Sequence, residues 1–312
     1  MNGRYSSSRQ PLRGIAVSWP FQYAHGDTLP FGGTDCPQST FPDAAAVILP
    51  APLERSVSYI SGTRLGPGEI LRASSQLELW DEELGIDVHP RGLCTLPEMK
   101  LPFSSQSDAL EEIRRIAKTI IGLNKFLVTL GGEHSITPPL VAAAAAHSDD
   151  LSILQIDAHA DLRDSYLGNP NSHACAIRRS LEYAPCTQVG IRSLSTEEAM
   201  IVDSLPTTIF YDVKMRDRPS WIEDIVSTLR PKVYITIDCD GLDPAVMPAV
   251  GTPEPGGLSW TELIQILRLT FRKREVVACD VVELCPIPGI VHPNFLCAKL
   301  VYKLLSYRLG KP

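Results

Sequence analysis

The chain has 312 residues, of which 44% are hydrophobic and 21% charged, enough for one large domain with a deep core. A net charge of −7 argues against nucleic acid as the main partner, and no apolar run reaches the roughly 18–20 residues that a bilayer span needs, so no membrane partner is expected. Eight cysteines form no CxxC pair and no repeated spacing, which disfavours a disulfide framework or zinc ribbon; with no signal-peptide pattern at the N-terminus, a reducing cytoplasmic setting is expected.

Residues 1–43 are rich in Ser, Pro, Gly and aromatics without a period, and read as an irregular N-terminal extension. The aromatics between Trp19 and Phe31 leave two readings, a segment packed on the rest or a partly ordered tail. From residue 44 short apolar runs alternate with amphipathic segments and no linker intervenes, so residues 44–312 read as a single domain. AAAVILP (44–50) predicts a strand, and residues 108–121 a helix with Leu110, Ile113, Ala117 and Ile121 on one face. FLVTL (126–130) and LSILQI (151–156) predict strands around a helix opened by Thr137-Pro138 and continued by the Ala run 142–146. CTQVGI (186–191) and KVYITI (232–237) predict two further strands. In 259–273, Ser259 and Glu262 make a capping-box pattern ahead of a stripe of Trp260, Leu263, Ile264, Leu267 and Phe271. VVACDVVEL (276–284) predicts the last strand and 294–308 a closing helix. Continuously apolar strands alternating with helices predict an α/β fold whose parallel sheet is covered on both faces, with the binding crevice outside the carboxyl ends of the strands.

Three strand ends deliver unusual side chains to that edge. Gly131-Gly132-Glu133-His134-Ser135 follows FLVTL, Asp157-Ala158-His159-Ala160-Asp161 follows LSILQI, and Asp238-Cys239-Asp240-Gly241-Leu242-Asp243 follows KVYITI. Carboxylates crowded into a dry crevice repel one another and burial adds to the cost; a pair of divalent cations relieves both. In extended chain, side chains two apart point the same way, so Asp238 and Asp240 are expected to face one side and Cys239 the other. The same is expected of Asp157, His159 and Asp161 if the chain stays extended. Carboxylates bridge two ions and imidazoles do not. One set is then His134, Asp161 and one oxygen each of Asp157 and Asp238; the second is His159, Asp240 and the remaining oxygens. Any single ending has an ordinary explanation, because Asp caps helices and opens loops, and Asp243 before Pro244 reads as a turn residue. Three together do not. Four carboxylates, two imidazoles and no thiolate make a hard donor set that suits Mn²⁺, with Zn, Co, Ni or Fe as alternatives.

These blocks resemble the signatures of the ureohydrolases, the arginase and agmatinase family. The likeness extends to SGTRLGP (61–67), SHACAIRR (172–179), GTPEPGG (251–257) and VVEL (281–284), in the same order. The resemblance implies a three-layer α/β/α fold with a parallel sheet of about eight strands, a homo-trimer or homo-hexamer, and a small cationic guanidino substrate. It implies that His173 shuttles protons and that Glu283 pairs with the substrate guanidinium. Water activated by two cations would attack the guanidinium carbon, Asp161 would accept a proton, and Asp161 or His173 would protonate the leaving amine, giving urea and a primary amine. In the loop after DAHAD, Asp164 and Tyr166 look available for a cationic amine tail. This favours agmatine, hydrolysed to putrescine and urea, with aminopropylagmatine second and arginine, guanidinobutyrate or guanidine behind. A deacetylase-like metal amide hydrolase and a catalytically silent paralogue are the readings of another class.

Overall fold

The computed structural model describes residues 20–310, so Trp19 lies outside the described residues. In chain order the elements are β1 (Ala46–Ala51), α1 (Gly66–Ser74), β2 (Leu93–Thr95), α2 (Gln106–Gly122), β3 (Phe126–Gly131), α3 (Thr137–Ala145), β4 (Leu151–Ile156), α4 (Ala176–Ser180), β5 (Cys186–Ile191), α5 (Thr196–Ile201), β6 (Thr207–Tyr211), α6 (Asp212–Met215), α7 (Trp221–Thr228), β7 (Lys232–Asp238), α8 (Trp260–Lys273), β8 (Glu275–Val282) and α9 (His292–Leu309). The eight strands form one sheet in the order β2-β1-β3-β8-β7-β4-β5-β6, and every pairing is parallel.

Burial explains which strands the sequence announces. Every residue of β1, β3, β4 and β5 is buried, because helices cover both faces, and these segments read as mainly apolar runs with only isolated polar residues. The two strands without such a signal are the edges. β2 has three residues, and β6 is only half-buried. Alternate residues of one strand feed opposite layers: Ile48 joins Leu71, Leu267 and Leu304 on the face of α1, α8 and α9, whereas Val47 and Leu49 join Ile113 and Leu140 on the face of α2 and α3. The box at α8 forms as its sequence predicts, with Ser259 accepting from Glu262 N–H and Glu262 accepting from Ser259 N–H. Part of the N-terminal segment packs on the sheet layers: Phe21 stacks edge-on against Phe41 with ring centres 5.5 Å apart, and Phe31 is fully buried in the opposite core.

The carboxyl ends of β3, β8, β7 and β4, four adjacent strands, lie at one edge of the sheet. β4 is reached from β3 by a connection that passes over the two strands between them, so the crevice opens where the strand order reverses.

Candidate metal centre and active site

His134 enters this crevice just past β3, Asp157, His159 and Asp161 past β4, Asp238 and Asp240 at the end of β7, and Glu283 past β8. A cavity of about 290 Å³ is lined by His134, His159, Asp161, Asp238, Asp240 and Glu283, with His173 and Tyr166 on its wall. Asp157 lies below, fully buried, and touches both rings. His134 Nδ1 stands 3.2 Å from Asp157 Oδ2, 3.1 Å from Asp161 Oδ2 and 3.4 Å from Asp238 Oδ2. His159 Nδ1 stands 2.9 Å from Asp240 Oδ2 and 3.7 Å from Asp157 Oδ1. Two groupings of cation-ligand geometry result, His134 with Asp157 and Asp238, and Asp157 with His159 and Asp240.

The backbone reaches this arrangement by turns, which corrects the expectation of extended chain. β4 ends at Ile156, and Cys239–Gly241 form a single 3-10 turn closed by Asp240 N–H donating to Asp238 Oδ1 at 2.9 Å. Asp161 adopts a left-handed φ of 54°. Asp157 likewise accepts a nearby backbone N–H, that of His159, at 2.6 Å, and these two local bonds curl the chain back over the ends of β4 and β7. Gly241 permits the curl, since a Cβ there would lie 2.7 Å from Asp157 N. Cys239 nonetheless faces the core, with Sγ 3.5 Å from Cys297 Sγ on α9.

The electrostatics of this cluster call for positive charge. Burial opposes charging His134, yet with no cation between them Asp157, Asp161 and Asp238 would draw a second proton onto it, raising it well above the ordinary imidazole range; a cation would take that proton's place. His159 is pushed up to about 12, its burial outweighed by Asp240 and Asp157. Burial, reinforced by Asp240 and Asp157, raises the Asp238 carboxyl far above the usual range, and burial raises Asp161 and Glu283 as well. The residues fit cations on a specific observation. His134 Nε2 lies 2.9 Å from Thr236 Oγ1, whose hydroxyl donates to Asp280 Oδ1 at 2.6 Å. The Nε2 hydrogen therefore points to Thr236, and the buried Nδ1, which makes no hydrogen bond, aims a lone pair at three carboxylate oxygens. Lone pairs converging in this way repel unless a cation lies between them.

The remaining expected residues divide. Glu283, at a left-handed φ of 62°, projects into the cavity and accepts His134 N–H at 2.6 Å. His173 stands on the wall with Nε2 2.8 Å from Ser58 Oγ. Asp164 does not reach the cavity. It is highly exposed and pairs with Arg179, with Arg178 Nε at 3.9 Å, because α4 folds back beside its loop and its charge is met there. Its expected place in a tail pocket is corrected accordingly. Tyr166 does line the cavity, with the Arg163 guanidinium 5.2 Å from its ring centre.

The sequence profile described as the Arginase family matches residues 44–306. The chain belongs to the arginase family. It is 41% identical over 279 residues to an N(1)-aminopropylagmatine ureohydrolase of Synechocystis sp., covering 86% of this chain and 90% of that one. A Thermus thermophilus protein of the same name is 36% identical over 281 residues, covering 90% and 94%. The solved agmatine ureohydrolase of Thermoplasma volcanium superimposes with a TM-score of 0.82 at 30% identity, covering 91% of this chain and 96% of that one. The family is one of binuclear metal hydrolases, and this chain is an enzyme of its ureohydrolase class.

Within the arginase-family frame, the structure adds residues that sequence reading passed over. Arg192, the first polar residue after β5, donates to the carbonyl oxygens of Asp240 at 2.6 Å and Glu254 at 3.0 Å, pinning the ligand turn to the loop that carries GTPEPGG. That loop brings Glu254 Oε1 to 3.9 Å from His159 Nε2. Gln155 donates to Asp157 Oδ2 at 2.6 Å from inside β4. A buried polar residue within an apolar strand is the signal that could have flagged Gln155, Thr236 and Asp280.

Proposed function

We propose that this chain hydrolyses the guanidinium group of an amine-tailed guanidine, releasing urea and a polyamine. The observation that carries the reading is the pair of imidazoles at the cavity floor, each facing carboxylates and sharing Asp157. His134, Asp161, Asp157 and Asp238 are proposed to hold one divalent cation, and His159, Asp240, Asp157 and Asp238 a second; the hard donors favour Mn²⁺. When bound, such cations supply the Lewis acidity that lowers the pKa of water toward neutrality.

The chain's own groups do the rest. Glu283 receives the guanidinium by charge-assisted hydrogen bonds and fixes the orientation of its carbon, which matters because resonance makes that carbon a poor electrophile. Asp161 and His173, which both line the cavity, are proposed to pass a proton to the departing amine nitrogen. With Asp157, Asp161, Asp238 and Asp240 balanced by two divalent cations, the lining keeps an acidic surplus, Glu198 and Glu283 against the single guanidinium of Arg163. A cationic substrate suits that surplus. The 41% identity to an aminopropylagmatine ureohydrolase favours N1-aminopropylagmatine, and agmatine is the second reading, supported by the Thermoplasma volcanium structure. Eight free, buried cysteines suit a reducing cytoplasm. A trimer or hexamer is proposed on family resemblance alone.

The test is urea release from N1-aminopropylagmatine, agmatine, arginine and guanidinobutyrate by the manganese-loaded protein. Amine-tailed guanidines are expected to lead. Preference for arginine would overturn the tail assignment, and no urea from any of them would overturn the function.

A further inference from the structure

Glu133 is a fully buried carboxylate beside the cavity, and the mechanism above makes no use of it. It accepts five hydrogen bonds. Its Oε2 takes the backbone N–H of Arg55 at 2.6 Å and of Ser56 at 2.7 Å. Its Oε1 takes the hydroxyls of Ser56 at 2.8 Å and Ser135 at 2.5 Å, and the amide of Gln106 at 3.1 Å. So many donors around one buried acid exceed what is needed to end β3, and two of the three from Arg55 and Ser56 are backbone groups that fix a loop rather than a side chain.

The loop so fixed is the one that faces His173. The Ser56 hydroxyl hydrogen is committed to Glu133, so Ser56 Oγ meets His173 only as an acceptor. It takes the His173 backbone N–H at 3.0 Å and lies 3.3 Å from Nδ1. Ser58, two residues on, has its Oγ 2.8 Å from Nε2. Ser172 Oγ, 3.4 Å from Nδ1, can accept there as well, while the Ser58 hydroxyl can donate to Nε2; a proton on Nδ1 is thereby favoured, with Nε2 left to exchange a proton on the cavity side. Gln106 continues the same hub to the opposite loop, donating to Asn171 O at 2.7 Å and accepting from Asn169 Nδ2 at 2.7 Å.

We infer that Glu133 is a positioning residue that acts through Ser56 to hold the His173 ring with Nδ1 protonated and Nε2 presented to the cavity. The inference rests on the proposed proton-carrying role of His173. It is tested by a double-mutant cycle on the manganese-loaded full chain, reading kcat and KM for urea release from N1-aminopropylagmatine and agmatine, with metal content measured on each variant. Glu133→Gln is expected to lower kcat about 10–100-fold with little change in KM and two ions retained, the size usual for loss of a group that orients an active-site side chain. Combined with His173→Ala it is expected to lower kcat no further. Ser56→Ala, which leaves the buried carboxylate in place, is expected to behave in the same way and decides the matter if Glu133→Gln does not fold. Losses that multiply in the His173→Ala background, or a Ser56→Ala protein with wild-type kcat, overturn the inference while the His173 role stands. A fully active His173→Ala protein instead removes the role itself, and the inference with it.

Discussion

Asp157 is the side chain that both candidate groupings share, and its position follows from where β4 stops. Its two oxygens already accept His159 N–H and the Gln155 amide, so they are held in place before any ligand arrives. Asp157→Ala is therefore expected to lose both ions and all measurable turnover, rather than one ion and part of the rate. Metal analysis after dialysis checks this, and a variant that keeps two ions would remove Asp157 from the centre. Asp161 and Glu283 show the cost of placing groups this way. Both hold left-handed backbone that costs about 1–2 kcal/mol for a side chain with a Cβ, and both are cavity residues. Cys239, between two acids of the cluster, shows the converse, since its thiol packs against Cys297 and serves the core.

At the scale of elements, α8 ties its own start to α6. Glu262 closes the capping box and also receives Arg216, with Arg216 Nε at 2.6 Å, while Arg216 reaches Asp212 at 2.8 Å. Burial alone would raise the Glu262 carboxyl, but Arg216 and the Ser259 donors bring it down from 4.5 to about 2. A depressed carboxyl stabilises the fold fully above its unfolded pKa. That contribution is lost as the pH falls from 4.5 toward about 2. Because the Arg216–Glu262 pair is partly exposed to solvent, the effect is discounted to about 1 kcal/mol. Comparison of Tm against pH for wild type and Glu262→Gln is expected to show curves well separated at neutral pH and converging below pH 4.5. A constant separation down to pH 2 would show that the ion pair is not the source.

For the whole molecule, the cluster is a built-in destabiliser whenever cations are withheld, because its buried acids have been brought together by four strands at once. Ions that bind only the folded chain stabilise it by about 2.7 kcal/mol at a hundredfold excess over their Kd. Chelation is therefore expected to abolish urea release and lower Tm by several degrees, with both restored by Mn²⁺; an unchanged Tm would mean that the acids find balance without metal. The sequence by itself determined the interior strands and the polar groups at their ends, because both are local. β4 and β5 were readable to the residue since each is buried on both faces, and Asp157 and Asp238 stood out because they follow apolar runs at once, with His134 a few residues beyond another. α4, α5 and α6, of four to six residues, are too short to show a helical period, and β6 lies at an edge where burial leaves no pattern. Only tertiary structure decided which charges answer which. Asp164 looked available until α4 brought Arg179 beside it, and Glu133 had no reading of its own until a segment 77 residues earlier in the chain supplied its donors. A charge's partner is set by where the chain returns in space, and the residues beside it in sequence do not carry that information.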